Sequence, residues 1–278
     1  MTDRFGLGWR DDLAAGILSN LDRIDVLEVM ADDYFDAPGR KRRVLRDLAA
    51  QHPVMLHAVS LGMASTIAVD EKRLTKMARL VETVRPEGWS EHLAFVRAGG
   101  IEIGHMASPP RNGASVDATL RNVDRAARVV GVAAAMENVA SMIDPPGSTM
   151  SEGAWLSEVA AGCAGGLLLD LHNVYTNAVN FGYDAFALLR AIPMERVRTI
   201  HLAGGKWVGK RILDDHLHDV PDPVYEMLRF VAERAQQPLT VILERDGAFP
   251  KMADLLAQLE RARAAVAEGR SVCEHAGV

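Results

Sequence analysis

Only two cysteines stand in 278 residues, Cys163 and Cys273, too few for a disulfide framework. Neither belongs to a CxxC pair or a Cys/His finger spacing. Aromatic residues make up 5% of the chain, so Ala, Val and Leu must carry the interior. Positive charge is also short: 31 Lys and Arg face 37 Asp and Glu, for a formal net charge of −6. Nucleic-acid binding rests on clustered cations, and this balance argues against a DNA or RNA partner. No window offers the roughly 20 apolar residues that span a bilayer. The opening MTDRFGLGWRDD lacks the basic and apolar regions of a secretion signal. These absences lead us to expect a soluble, cytoplasmic protein with no membrane partner. HExxH, GxSxG and P-loop motifs are missing too, and Gly6-Leu7-Gly8 is too short for a dinucleotide fingerprint.

What is present suffices for a full core, with 49% hydrophobic and 24% charged residues. Short apolar runs recur at Phe5–Trp9, Asp25–Met30, Val54–His57, Gly88–His92, Val132–Asn138, Gly166–Leu171, Val197–Leu202 and Leu239–Glu244. Each is apolar on consecutive positions, the pattern of parallel strands buried on both faces. Segments of helical period lie between them. Asp70 is placed to cap one that ends at Pro86; Gly131 stops another; Thr149 and Glu152 have capping-box spacing; Pro250 fits the first turn of a last helix. Eight such units predict an α/β fold, a single (β/α)8 TIM barrel over residues 1–278 with its active site at the C-terminal ends of the strands. An open doubly wound sheet is the alternative. Two connections read as insertions, from Met106 to about Val116 and from Ala203 to Asp222.

The polar residues fall at the downstream ends of those runs: Glu28, His57, Glu91, His92, Glu137, Asn138, Asp170, Asn173, His201 and Glu244. Taken singly, each has an ordinary explanation, such as a hydrogen-bonded rim histidine, a structural ion pair or a cap. Taken jointly, a parallel barrel would bring them to one face, where so many carboxylates repel unless cations share the site. Imidazoles, carboxylates and carboxamides without thiolate suit Fe, Mn or Zn. The donors exceed what one catalytic zinc needs, which favours two or three metals bridged by a carboxylate, with Glu137 as the bridge. Asp214 and His216 add an Asp-x-His pair in the second long connection. His52, His105, His172, His218 and His275 are read as ordinary by default, with His105 and His172 as the first exceptions to look for. Cys163 reads as packing and Cys273 as inert. The run Arg40-Lys41-Arg42-Arg43 reads as a solvated face.

Several of these residues lie in motifs: Gly6-Leu-Gly-Trp9, Leu56-His57, Ser90-Glu-His92, Met136-Glu-Asn138, Leu169-Asp-Leu-His-Asn173, Ile200-His-Leu-Ala-Gly204, Asp214-Asp-His216, Asp222-Pro-Val224 and Leu243-Glu-Arg-Asp246. With these the chain resembles the multinuclear non-heme iron-dependent oxidases of the DUF692 family, which include methanobactin-type and 3-thiaglutamate-type peptide-modifying enzymes. The resemblance implies a barrel holding two or three Fe ions. With O2 as co-substrate it would oxidise a cysteine of a ribosomally made precursor peptide, presented by a separate recognition protein. Family ligand positions carry over onto His57, His92, Glu137, Asp170, Asn173, His201, Asp214, His216 and Glu244, with Glu137, Asp170 and His201 as the catalytic set. The chain departs from its relatives at Met30-Ala-Asp32-Asp33-Tyr34 and at His172, where Asn is common. The alternatives are a zinc- or manganese-dependent hydrolase or isomerase of the endonuclease IV-like or xylose isomerase-like type, and a binding protein whose metals are structural staples.

Overall fold

The computed structural model describes residues 2–276, leaving aside the side chains of residues 273–276. The expectations for Cys273 and His275 therefore lie outside the described side chains. Eight strands fall almost where the apolar runs place them: β1 Arg4–Trp9, β2 Val26–Met30, β3 Val54–Ala58, β4 Gly88–His92, β5 Ala135–Glu137, β6 Leu167–Asp170, β7 Val197–Leu202 and β8 Thr240–Leu243. They close in sequence order into a barrel of parallel strands, a TIM barrel. All five residues of β3 and all four of β6 and of β8 are buried, as strands covered on both faces require. Among the described residues, no helix is long and apolar enough to cross a membrane.

By internal packing the chain divides into two compact units, residues 1–27 with 168–278, and residues 28–167. In the first, β1 pairs with β8 and β8 with β7, with His201 in register with Ile242. Asp170 caps the helix Leu171–Phe181, and Gly182, at φ 72°, ends it. In the second unit, β3 pairs with β4 and β4 with β5, which sets His57 beside Ser90 and His92 beside Glu137. Asp70 caps the helix Glu71–Val84 by accepting from the Arg73 N–H.

Four local expectations change. Ser151, not Thr149, caps the helix Glu152–Gly162: the helix begins at Glu152, so Ser151 is the residue whose Oγ reaches the third helical N–H, that of Ala154, at 3.2 Å. The last helix starts at Met252, two residues beyond Pro250. The run Val132–Asn138 contracts to a three-residue strand. The first long connection is shorter than expected: Met106 and Ala107 still belong to a hairpin, Phe95–Ala98 with Ile101–Ala107, and the helix Gly113–Val130 already begins within the stretch read as insertion. The second long connection holds a hairpin of Lys206–Val208 with Arg211–Leu213. Cys163 is fully buried, and the run from Arg40 enters the helix Gly39–Ala49.

Candidate metal centre

Strand alternation and register decide what meets in the unit of residues 28–167. Ser90 and His92 lie two apart on β4 and share a face, next to His57 on β3 and Glu137 on β5. His57 Nε2 and His92 Nε2 each stand 3.3 Å from the same oxygen, Glu137 Oε2. The two rings meet edge to face with centroids 4.6 Å apart, and all three side chains are buried. Glu28 adds a carboxylate 3.8 Å from His57 Nδ1.

Each Nδ1 has a partner that orients its ring. His92 Nδ1 lies 3.1 Å from the Ala58 carbonyl oxygen, which can only accept, so Nδ1 carries the hydrogen. His57 Nδ1 lies 2.8 Å from Ser90 Oγ, whose own hydroxyl is directed at the Leu56 carbonyl. If both rings are neutral, these bonds leave each Nε2 as an acceptor turned toward the same carboxylate oxygen. Lone pairs facing a carboxylate in a buried site repel unless a cation lies between them. His57, His92 and Glu137 therefore fit a metal ion, with their donor atoms within 4.8 Å of one another and both Nδ1–H groups held by hydrogen-bond partners in the manner of ligating histidines.

Other acidic residues of this unit turn to structural work. Glu91 Oε1 accepts from the Leu61 N–H at 2.7 Å, and burial pushes its carboxyl well above the usual range. Asp32 Oδ2 accepts from the Val59 N–H at 2.9 Å, while Asp33 is exposed. Asn138 is buried.

In the other unit a second set forms. His201 Nδ1 stands 3.0 Å and His216 Nδ1 3.4 Å from the same oxygen, Glu244 Oε2. His216 Nδ1 is also 3.4 Å from Asp246 Oδ2, and Arg10 pairs with that aspartate. On its other side, His216 Nε2 lies 3.0 Å from Asp214 Oδ1, and His172 Nδ1 lies 2.7 Å from that same atom. His216 holds a left-handed backbone, φ 54°, unusual for a residue with a Cβ. Burial pulls the His216 pKa down, but the Asp214 and Glu244 charges and hydrogen bonds to Asp214 and Asp246 hold it well above the ordinary imidazole value. Burial raises Asp214, yet His216 and His172 bring it well below the usual carboxylate range. A positive charge is thus strongly favoured in this ring of carboxylates. Asp170, fully buried, accepts from the Asn173 N–H at 2.6 Å while capping its helix.

The ligands expected from the sequence thus gather as His57, His92 and Glu137 in one unit, and as His201, Glu244, His216 and Asp214 in the other, where Asp170 and Asn173 are also buried. Three residues that work with them escaped the sequence reading: Ser90 as the partner of His57, and Asp246 with Arg10 behind His216. His172, left open there, joins Asp214 and His216. His52, His105 and His218 stand outside these sets, the last two exposed, with His105 Nδ1 on the Met106 carbonyl and His218 Nδ1 by Asp215.

Buried imidazole–carboxylate sets at the strand ends of an α/β barrel define a barrel whose donors could hold metal ions, at the face where enzymes of this fold build their sites. The comparisons narrow this class. The chain belongs to the family of RiPP precursor modification enzymes MbnB/TglH/ChrH, whose model matches residues 4–267. Among its relatives are UPF0276 proteins of Streptomyces avermitilis, 36% identical over 91% of this chain and 53% of that protein, and of Caulobacter vibrioides, 32% identical over 96% of each. The chain thus spans about half the length of the Streptomyces relative. Solved structures of similar fold include endonuclease IV from Thermus thermophilus, with TM-score 0.61, 19% identity and coverage of 95% of this chain and 99% of that one. Another is D-psicose 3-epimerase from Clostridium cellulolyticum, with TM-score 0.59, 11% identity and coverage of 97% and 99%. At those identities the likeness is one of fold.

Proposed function

We propose that this chain is a multinuclear iron oxidase that uses O2 to modify a cysteine of a ribosomally made precursor peptide in the cytoplasm. The observation that carries the reading is the convergence of His57 Nε2 and His92 Nε2 on Glu137 Oε2, with both Nδ1 atoms already committed. His57, His92 and Glu137 would hold one iron, with Glu137 shared by a second. Asp170, Asn173, His201, Asp214, His216 and Glu244 would supply the remaining ligands for two or three irons in all. When bound, iron supplies electrons for O2 chemistry and lowers the pKa of a coordinated thiol.

The residues of the chain do the rest. Ser90 Oγ and the Ala58 carbonyl fix both ring orientations, so that no reorganisation is needed when a ligand arrives. Burial of Glu137 and His57 keeps bulk water from competing for their lone pairs. Asp214 and Asp246, on opposite edges of the His216 ring, hold a proton on that ring until a cation replaces it. Membership of a family of RiPP precursor modification enzymes supports a peptide as substrate. A separate recognition protein would present it.

The test is elemental analysis of anaerobically purified protein, with optical spectra before and after air is admitted. Two or three irons per chain and a spectral change on oxidation are expected. Zinc alone, unchanged by air, would favour the hydrolase or isomerase alternative, and absence of metal would sink both.

A further inference from the structure

His172 Nδ1 lies 2.7 Å from Asp214 Oδ1, an atom that His216 also approaches. We infer that His172 is itself a ligand, and that His172, Asp214 and His216 make a two-histidine, one-carboxylate position for a first-row divalent cation. This deepens the reading above by assigning a donor outside the ligand set carried over from the family. Three observations carry it.

The first is convergence. His172 Nδ1 and His216 Nε2 approach one atom, Asp214 Oδ1, at 2.7 and 3.0 Å, and the donor atoms of all three residues lie within 4.8 Å of one another. Metal–nitrogen and metal–oxygen bonds of about 2.0–2.2 Å leave adjacent ligands roughly 3 Å apart. Both imidazole nitrogens are thus spaced from the shared carboxylate oxygen as neighbouring ligands around one ion are.

The second is the fit around His172. A Cβ built on Gly205 would lie 2.7 Å from His172 Cε1 and 3.0 Å from Nε2. Glycine at 205 therefore lets the main chain close over the Nε2 edge of the ring, and Nδ1 is the nitrogen turned toward Asp214.

The third is exposure and backbone. The His172 side chain is 1% exposed, but those of Asp214 and His216 are 21% and 14% exposed. His172 is thus the buried member of the set, and solvent reaches the set at Asp214 and His216. His216 is held at φ 54°, a conformation its own side chain disfavours, and that backbone aims its Nε2 at Asp214. Two imidazoles and one carboxylate with open places form the donor set of mononuclear non-heme iron(II) sites, and cobalt(II) and zinc accept the same ligands.

The experiment uses Co(II) alone. Chelator-stripped full-length protein is titrated with Co(II), followed by visible absorption and elemental analysis, alongside His172→Ala, His172→Gln and His57→Ala. Crystals of the Co(II)-loaded wild type are then measured at the cobalt edge. We expect an anomalous peak about 2.1 Å from His172 Nδ1, shared with Asp214 and His216. Both His172 variants should bind one equivalent fewer than wild type, or bind it at least 100-fold more weakly, and His57→Ala should keep that equivalent. The inference is overturned if the peak is held by Asp214 and His216 with His172 Nδ1 beyond 3 Å, or if His172→Gln binds like wild type. If the His172 variants fail to fold, the wild-type anomalous map still decides. Metal at His172 without peptide modification would retire the oxidase reading and leave this site standing. Peptide modification without metal at His172 would do the reverse.

Discussion

His92 Nδ1 sits 3.1 Å from the carbonyl oxygen of Ala58, and this one hydrogen bond fixes which nitrogen of the ring faces Glu137. Main chain does for His92 what a side chain, Ser90 Oγ, does for His57. The difference is testable, because only the second can be removed by substitution. Ser90→Ala should leave the barrel folded while freeing the His57 ring to turn. Loss of such an orienting group typically costs about 10–100-fold in metal affinity. Competitive chelator titration of metal-loaded wild type and Ser90→Ala reads the effect. Equal affinities would show that β3 packing alone holds the ring.

The cap of the helix Glu71–Val84 gives a pH dependence remote from the metal set. Asp70 accepts from the Arg73 N–H, and that bond places its pKa below the ordinary carboxylate value of 3.8 against the opposing pull of desolvation. A lowered folded pKa means that the cap contributes fully above about 3.8 and is lost as pH falls through the folded value. Asp70→Ala should cost about 1 kcal/mol at pH 7. Asp70→Asn keeps a neutral acceptor and should cost only a few tenths, without acid sensitivity. Urea unfolding of all three proteins at pH 7 and pH 3 checks the sign: the advantage of wild type over Asp70→Ala must shrink in acid. A gap that widens would contradict the assignment.

Two glycines in one motif should respond oppositely to a methyl group. A Cβ at Gly6 would lie 2.2 Å from the Val26 carbonyl oxygen, a backbone atom that cannot yield. At Gly8 the nearest neighbour is the Arg10 guanidinium at 3.4 Å, which can. Gly6→Ala should therefore destabilise by about 1–3 kcal/mol or more, and Gly8→Ala should lie within about 0.5 kcal/mol of wild type. Thermal melts of the pair decide it. A tolerated Gly6→Ala would mean that β1 and β2 slide apart more easily than close packing allows. Gly6-Leu-Gly-Trp9 is thus explained by strand packing, in keeping with its being too short for a nucleotide loop.

That contrast marks what the chain reveals unaided. Buried parallel strands print themselves as apolar runs ending in a polar residue, so Val54–His57 and Gly88–His92 fall within a residue of β3 and β4. His57, His92 and Glu137 were legible for the same reason, since each lies at or next to the end of its strand. The hairpin strand Ile101–Ala107 carries no such signal because it is mostly exposed and nothing selects its pattern. The Val132 end of its run does not pair as strand, and its carbonyl accepts from Trp89 Nε1 at 2.9 Å. The contacts of His216 depend on a left-handed backbone inside a long connection, and of His172 on a main-chain approach at Gly205. No local spacing encodes either.

The last expectation concerns metal removal, where repulsion among ligands becomes a stability. If His57, His92 and Glu137 share an ion, stripping it leaves two nitrogen lone pairs and a carboxylate facing one another in a buried site. An ion that binds only the folded state stabilises it by about 2.7 kcal/mol when present at 100 times its dissociation constant. At roughly 2–4 °C per kcal/mol for a chain of this size, the stripped protein should melt about 5–10 °C lower, and restoring Fe(II) under argon should recover the loss. Glu137→Ala removes the carboxylate that both rings face, so it should lose at least two metal equivalents. Its melting temperature should also no longer respond to Fe(II) at this set, because the two imidazoles then have neither the ion nor the charge that called for it. A Glu137→Ala protein that keeps its full metal content would refute the shared carboxylate. One that loses metal yet melts like the loaded wild type would show that the ion contributes chemistry without stability.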